Sequence, residues 1–293
     1  MGDLLNFDAE DKLAYLFIFP AMLFIGIFII FPILYTFFLS FQEWDVISQA
    51  KFVGLGNYLE MLTNKEFYNA LGNTFYYVVI TVPLTVICSL FLAVLLDQKI
   101  RGLGFFRTAF FSPQVFSFVA AGLVWVWMLD YDRGLINYLL SGIGLEPINW
   151  LQSTTWAMPA VILLTVWRFA GYFMVVYLAG LQGIPESYYE AASLDGAGSG
   201  WKAFRYITWP LLKPTTLFVT IMMLFFSFRG FAQFHVMTQG GPLGSTTVLV
   251  YYMYQQAFSK FSMGYASAVA VVILVVTMII TRINMNFIQD ETA

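Results

Sequence analysis

The chain has 293 residues, of which 60% are hydrophobic, 19% aromatic and 11% charged, with a mean hydropathy of +0.75. Soluble domains carry roughly 45–50% apolar and 25% charged residues, so one water-exposed globule is excluded and the sequence reads as an integral membrane protein. Fourteen Lys and Arg against seventeen Asp and Glu leave a charge of −3, which offers no basic field for nucleic acid; a single cysteine, Cys88, excludes an intrachain disulfide and a cysteine-cluster metal site, and a single histidine, His235, argues against histidine-ligated metal catalysis.

A bilayer core about 30 Å thick is crossed by roughly 20 apolar residues as a helix. Six spans are expected, at about 13–41, 71–96, 106–129, 156–180, 214–238 and 261–283, in a single transmembrane domain over 1–293. The first follows an acidic amino-terminal stretch and is too long for the core of a signal peptide, so it is read as a retained helix. Pro20 and Pro32 fall in span one, Pro83 in span two and Pro113 in span three. Each is either an ordinary membrane-helix proline or a gating element, since neighbouring helices can satisfy freed backbone groups.

With the amino terminus inside, the cytoplasmic side holds Lys12, Lys99, Arg101, Arg107, Lys202, Arg205, Lys213 and Arg282. The outer side holds Lys51, Lys65, Arg133 and Lys260, and this 8:4 bias predicts both termini in the cytoplasm. The loops agree. Residues 97–107, DQKIRGLGFFR, are short and basic, whereas 42–70 and 130–155 are longer and polar, with Trp44, Trp150 and Trp156 suited to the outer interface. QGGPLGSTT at 239–247 is turn-forming.

The cytoplasmic segment 181–213, LQGIPESYYEAASLDGAGSGWKAFRYITWPLLK, is the most distinctive. Pro185 and Glu186 suit a helix start. A short helix with a small-residue face follows, is broken by Gly196, Gly198 and Gly200, and gives way to a second with Trp201, Phe204 and Ile207 on one side. Such a helix–turn–helix suits docking to another protein, or lying on lipid headgroups.

EAASLDGA at 190–197 with ITWP at 207–210 resembles the EAA loop of ABC importer permeases, more narrowly the sugar-type family of maltose and glycerol-3-phosphate importers. KFVGLGNY at 51–58, NTFYYV at 73–78, RGLGFFRTAFFSPQV at 101–115, GLVWVWM at 122–128, GYFMVVYLAGLQGIPESYYEAA at 171–192 and TQGGP at 238–242 resemble further landmarks of that family in its order. The stretch from Gly196 to Pro210 is one residue longer than the family spacing, and Trp209 stands where a leucine is usual.

The resemblance implies an all-α membrane protein, a six-helix bundle of the type I ABC importer permease kind with a cytoplasmic EAA coupling helix. It implies a second homologous permease, two copies of a cytoplasmic ABC ATPase that carry the ATP and magnesium, and an extracytoplasmic solute-binding protein. No cofactor is expected on this chain itself. By the same resemblance Glu190, Ala191, Ala192, Asp195 and Gly196 couple the ATPase to transport.

Two features stand beside it. No phosphate loop is present, so nucleotide for ATP-driven transport must bind another subunit, and every Asp and Glu falls outside the expected spans, which disfavours a carboxylate proton relay and with it many secondary transporters; an autonomous secondary transporter of a small polar solute is the alternative reading. Clustered catalytic residues for a membrane enzyme are also absent from the sequence. The intramembrane cations Arg168 and Arg229 must face a wet cavity or a polar partner; they serve either solute contact or a bridge to backbone carbonyls. Thr165, Trp167, Arg168, Tyr172, Phe228, Arg229 and Gln233 are the expected substrate pathway, offering stacking faces and hydrogen-bonding groups to a carbohydrate or polyol-like solute.

Overall fold

The structure, a computed structural model, describes residues 9–98, 102–194, 198 and 200–292, with side chains described within 15–282. α1 (Ala9–Ile25) runs through a π-helical turn (Gly26–Ile30) into α2 (Phe31–Leu39). The antiparallel pair β1 (Gln42–Glu43) and β2 (Lys51–Phe52) and the short α3 (Gly56–Thr63) lead to α4 (Lys65–Leu96). α5 (Leu103–Phe111) and α6 (Phe118–Met128) precede the short α7 (Leu135–Gly142) and the long α8 (Ala157–Gln182). α9 (Glu186–Leu194), α10 (Gly200–Ala203), α11 (Trp209–Leu211) and α12 (Lys213–Phe228) follow, and then α13 (Ala232–Met237), α14 (Leu249–Tyr254) and α15 (Met263–Thr292).

Among the described residues four helical stretches are long and apolar enough to cross a membrane: Tyr15–Leu39, Lys65–Leu96, Ala157–Gln182 and Met263–Arg282. Two bent pairs, Leu103–Gln114 with Phe118–Met128 at 99° and Gly200–Leu211 with Lys213–Phe228 at 65°, raise the number to as many as six when each pair is counted as one span. The third expected span, 106–129, is therefore interrupted. Pro113 brings no N–H, the chain tightens into a 3-10 turn over Ser112–Gln114, and extended Ser117 restarts the helix by accepting from Ala120 N at 3.1 Å. The fifth, 214–238, ends as a regular helix at Arg229, beside Gly230, and resumes only at α13. Glycine is a weak helix former, and Phe231 (φ −130°, ψ −54°) lies off the helical path.

Prolines also account for two π turns. Pro32 and Pro210 each lack a donor, and their rings crowd the carbonyl four residues back. In both cases the residue just before the proline reaches back five residues instead: Phe31 N–H to Gly26 O, and Trp209 N–H to Phe204 O. Pro20 and Pro83 sit inside unbroken helices.

The chain divides into two compact units. In the first, residues 1–63 and 253–272, buried Asn57 ties the end of α2 to the strand pair by donating to Ser40 O at 2.9 Å and Gln42 O at 2.8 Å. Met263 N–H donates to Trp44 O at 2.9 Å, and Gly264 lies so close to Gln42 that any side chain would meet its carbonyl.

The second unit, residues 64–252 and 273–293, is built on α4 and α8. Its core includes the fully buried Tyr77, Leu164, Phe173, Met174, Tyr177, Met223 and Phe234. Close approach depends on small residues. Gly171 of α8 faces the Phe110 carbonyl with no room for a Cβ, and a Cβ on Gly180 would stand 2.7 Å from Thr215 Oγ1.

Candidate functional site: two interrupted spans and their braces

The breaks are braced from neighbouring helices. Arg168, buried in α8, spends its guanidinium on carbonyls freed at the first break. Its Nη1 donates to Pro113 O at 3.0 Å and to Phe116 O, and its Nη2 donates to Gln114 O at 3.3 Å. The Phe118 ring covers the charge with its centroid 4.3 Å from Cζ. A cation within a span is thus held by carbonyl dipoles and a ring face, and three carbonyls that lost helical donors are satisfied together.

The second break is held by a buried polar cluster. Tyr77 of α4 donates from its hydroxyl to Thr165 Oγ1 on α8 at 3.0 Å and accepts from Gln233 Nε2 on α13 at 3.2 Å. Its ring packs edge-on against Phe234 at 4.8 Å. The half-helices beyond the two breaks then meet, since Gly122 of α6 lies against Val236 and Met237 of α13.

The turn after α13 is anchored to the same α4. Asn69 and Asn73 both donate to Gly244 O, at 3.0 and 2.8 Å, and Asn73 also donates to Thr247 O at 3.0 Å. Thr74 Oγ1 accepts from Leu249 N–H at 2.8 Å. Gly240 and Gly244 take positive φ of 80° and 76° within this turn, conformations open to glycine at little cost. The motif at 73–78 is in this way joined to residues 244–249, which directly follow the motif at 238–242.

The expected pathway residues fall into separate settings. Thr165 and Gln233 are brought together through Tyr77. Thr165, Arg168 and Tyr172 share one side of α8, whereas Trp167 points from the other side and packs against Trp125 at 5.7 Å. Tyr172, half-buried, meets the Phe173 ring edge at 5.0 Å. Phe228 is buried, and Arg229 lies exposed at the end of α12 with its Cζ 4.8 Å from the Phe225 ring. The contacts of Trp167 and Arg229 do not join them to each other among the described residues.

Tyr77 and Asn73 lie in the 73–78 motif but were not among the expected site residues. The available signal was a polar step of four through an apolar span: Asn69, Asn73, Tyr77, Thr81, Thr85 and Ser89, the last four buried on α4.

The segment between α8 and α12 begins with α9, where Glu190 and Ala191 are exposed and Ala192 half-buried. Asp195 and Gly196 lie outside the described residues. The Tyr189 hydroxyl and Thr208 Oγ1 share a hydrogen bond of 3.0 Å, which ties α9 to the π turn before α11. A cavity of about 730 Å³ lies between them and the end of α4, with Phe91, Leu181 and Phe204 in its wall.

An apolar helical bundle with two interrupted spans, joined by buried polar contacts and carrying an exposed helical segment between two of them, has the architecture of a membrane transport permease. The chain belongs to the binding-protein-dependent transport system inner membrane component family, whose model matches residues 53–290. It is 36% identical to a probable ABC transporter permease protein of Pyrococcus horikoshii, over 90% of this chain and 91% of the relative. It is 37% identical to the lactose transport system permease protein LacF of Rhizobium radiobacter, over 92% of each chain. Its fold is that of a subunit in the crystal structure of a bacterial ABC transporter involved in import of the acidic polysaccharide alginate, with a TM-score of 0.85 at 23% identity and 97% of both chains covered.

Proposed function

We propose that this chain is one permease subunit of an ATP-driven importer that carries a carbohydrate or polyol-like solute into the cytoplasm. The observation that carries the proposal is family membership across most of the chain together with 37% identity to a lactose permease over 92% of both lengths. The chain works as a single transmembrane domain with both termini cytoplasmic. It pairs with a second, homologous permease. Two copies of a cytoplasmic ATPase bind the ATP and magnesium, and an extracytoplasmic binding protein delivers the solute.

Coupling is assigned to the segment 181–213. Glu190, Ala191, Ala192, Asp195 and Gly196 form the surface that an ATPase groove receives, and the exposure of Glu190 and Ala191 supports this. The Tyr189–Thr208 bond passes a push on α9 toward α12. The solute path runs beside the interrupted spans. Trp167, Tyr172, Phe228 and Arg229 offer ring faces and a guanidinium to a hydroxylated solute, while Thr165, Arg168 and Gln233 hold the path's shape through the two braces.

Purification of the complex tests the reading. A homologous permease and an ATPase are expected to co-purify with this chain, and vesicles holding all three are expected to take up a saccharide only with binding protein and ATP. Uptake by this chain alone overturns the proposal. Cysteine labelling near residue 54 from outside and near residue 198 from the cytoplasm is expected, and the reverse pattern refutes the topology.

A further inference from the structure

α7 has inverted polarity. Its one buried side chain is polar, Asn137 at 4% exposure, flanked by the half-buried Ile136 and Leu140, while Leu135 and Leu139 on the opposite side and Tyr138 beside them are 51%, 57% and 76% exposed. The helix LINYLLSG carries no charge. A short helix turned this way in water would expose its apolar side and hide an amide, so something other than water covers it.

Asn137 explains both the orientation and the position. Its Nδ2 donates to Tyr131 O at 3.1 Å and Ile148 O at 3.0 Å. Its Oδ1 accepts from Ile148 N–H at 3.1 Å and from the Trp150 indole at 3.0 Å. Trp150 packs edge-on against Trp156 at 5.3 Å, and Trp156 immediately precedes α8. α8 has 26 residues and is about 39 Å long, which exceeds a hydrocarbon core of about 30 Å. The excess is taken up by tilt or at the helix ends, and the paired Trp150 and Trp156 at the start of α8 are the ring type that marks the headgroup level, so the Asn137–Trp150–Trp156 chain ties α7 to that level.

Continuity names the occupant. Leu123, Val124 and Trp127 of α6 are exposed, and this apolar surface runs on through Tyr131 into Leu135 and Tyr138. Trp127, Tyr131 and Tyr138 are the ring types that gather at membrane interfaces, and they border a shallow cleft of about 460 Å³ that also takes in Asp132 and Arg133. We infer that α7 is an interfacial anchor: it lies in the membrane surface beside the start of α8, with Leu135, Tyr138 and Leu139 in the boundary between phospholipid headgroups and acyl chains. The anchor fixes the level at which α6, the half-helix beyond the first break, emerges from the bilayer. The inference uses only the membrane character of the chain and does not depend on the solute.

The test is spin labelling in the assembled importer reconstituted into phosphatidylethanolamine–phosphatidylglycerol vesicles. Single cysteines replace Leu135, Leu139 or Asp132 in a Cys88→Ser background. Labels at 135 and 139 are expected to be broadened more by oxygen than by a water-soluble nickel chelate, at a depth of about 5–10 Å below the phosphates. The label at 132 is expected to show the opposite preference. Broadening of 135 and 139 mainly by the nickel chelate places α7 in water and overturns the inference. Immobilised spectra insensitive to both reagents, whether constant or seen only with binding protein, assign the face to a protein partner and overturn it equally.

Discussion

The hydroxyl of Tyr77 and the hydroxyl of Thr165 are hydrogen-bonded at 3.0 Å across the α4–α8 packing surface, and Gln233 completes the cluster from the short helix beyond the second break. One phenol thereby links two continuous spans to the interrupted one. Thr165 also donates to Val161 O at 2.9 Å, so its own proton is committed within α8.

Removing only that oxygen tests the link. Tyr77→Phe leaves the Gln233 amide without its buried acceptor, at a cost of about 1–3 kcal/mol. The purified complex is expected to melt at a lower temperature. Pairing the change with Gln233→Leu in a double-mutant cycle is expected to give a coupling of about 0.5–3 kcal/mol. Additive effects of the two changes would show that the bond contributes nothing.

The six apolar runs and the helical class were legible in the sequence because a bilayer imposes length and hydropathy directly. Which proline breaks a span was not. Pro20 and Pro83 lie in unbroken helices, whereas Pro113 begins a 99° bend. The difference is the partner: the carbonyls freed near Pro113 are met by Arg168, 55 residues further along. A local reading has no access to that donor. Arg229 was expected within the fifth span, whereas it stands exposed at the end of α12, a place that depends on Gly230 and on the fold around Gln233. The two helical parts of 181–213 were legible from their own residues, because proline and glycine act locally, while residues 195–197 and 199 between them lie outside the described residues.

Arg168 is expected to behave as a brace for the first break. Arg168→Met leaves several carbonyls unpaired in an apolar setting, at about 1–3 kcal/mol each, and is expected to abolish assembly of the complex. Arg168→Lys supplies one compact ammonium in place of a fork and is expected to restore assembly only in part. Assembly and melting at parental level in Arg168→Lys, with a raised half-saturation for uptake, would move this residue from positioning to direct solute contact.

Gly171 sets how near α5 comes to α8. A Cβ there would overlap the Phe110 carbonyl, a backbone atom with no freedom to rotate aside. Gly171→Ala is expected to lower the yield of folded complex severely. Gly72→Ala on α4, where the space around the glycine is open, is the control and is expected to be neutral or stabilising by up to about 1 kcal/mol. Equal yields of the two variants would show that α5 and α8 do not pack this closely.

Coupling predicts a separation of hydrolysis from transport. Ala191 is exposed on α9, and a long side chain there is expected to hold the helix out of the ATPase groove proposed to receive it. Ala191→Arg is expected to reduce solute-dependent ATP hydrolysis and uptake together while the permease pair stays assembled. Gly196→Val, at a position outside the described residues, is expected to do the same. Parental uptake in both variants would remove the coupling role from this segment.

Trp167 and Arg229 carry the last prediction because, among the expected pathway residues, both keep an exposed functional face. Trp167 is 41% exposed beside Trp125, and Arg229 is exposed over the Phe225 ring at the mouth of the second break. A pyranose or polyol offers an apolar face to an indole and many acceptors to a guanidinium, so contact with either residue should appear in affinity. Trp167→Ala and Arg229→Ala are each expected to raise the half-saturation concentration for uptake, with complex yield and melting close to parental. An anionic solute would depend more strongly on Arg229 than on Trp167, because the guanidinium then pairs with charge. Lost assembly with unchanged affinity in the transporters that remain would make these two residues structural and place the solute contacts on the partner permease.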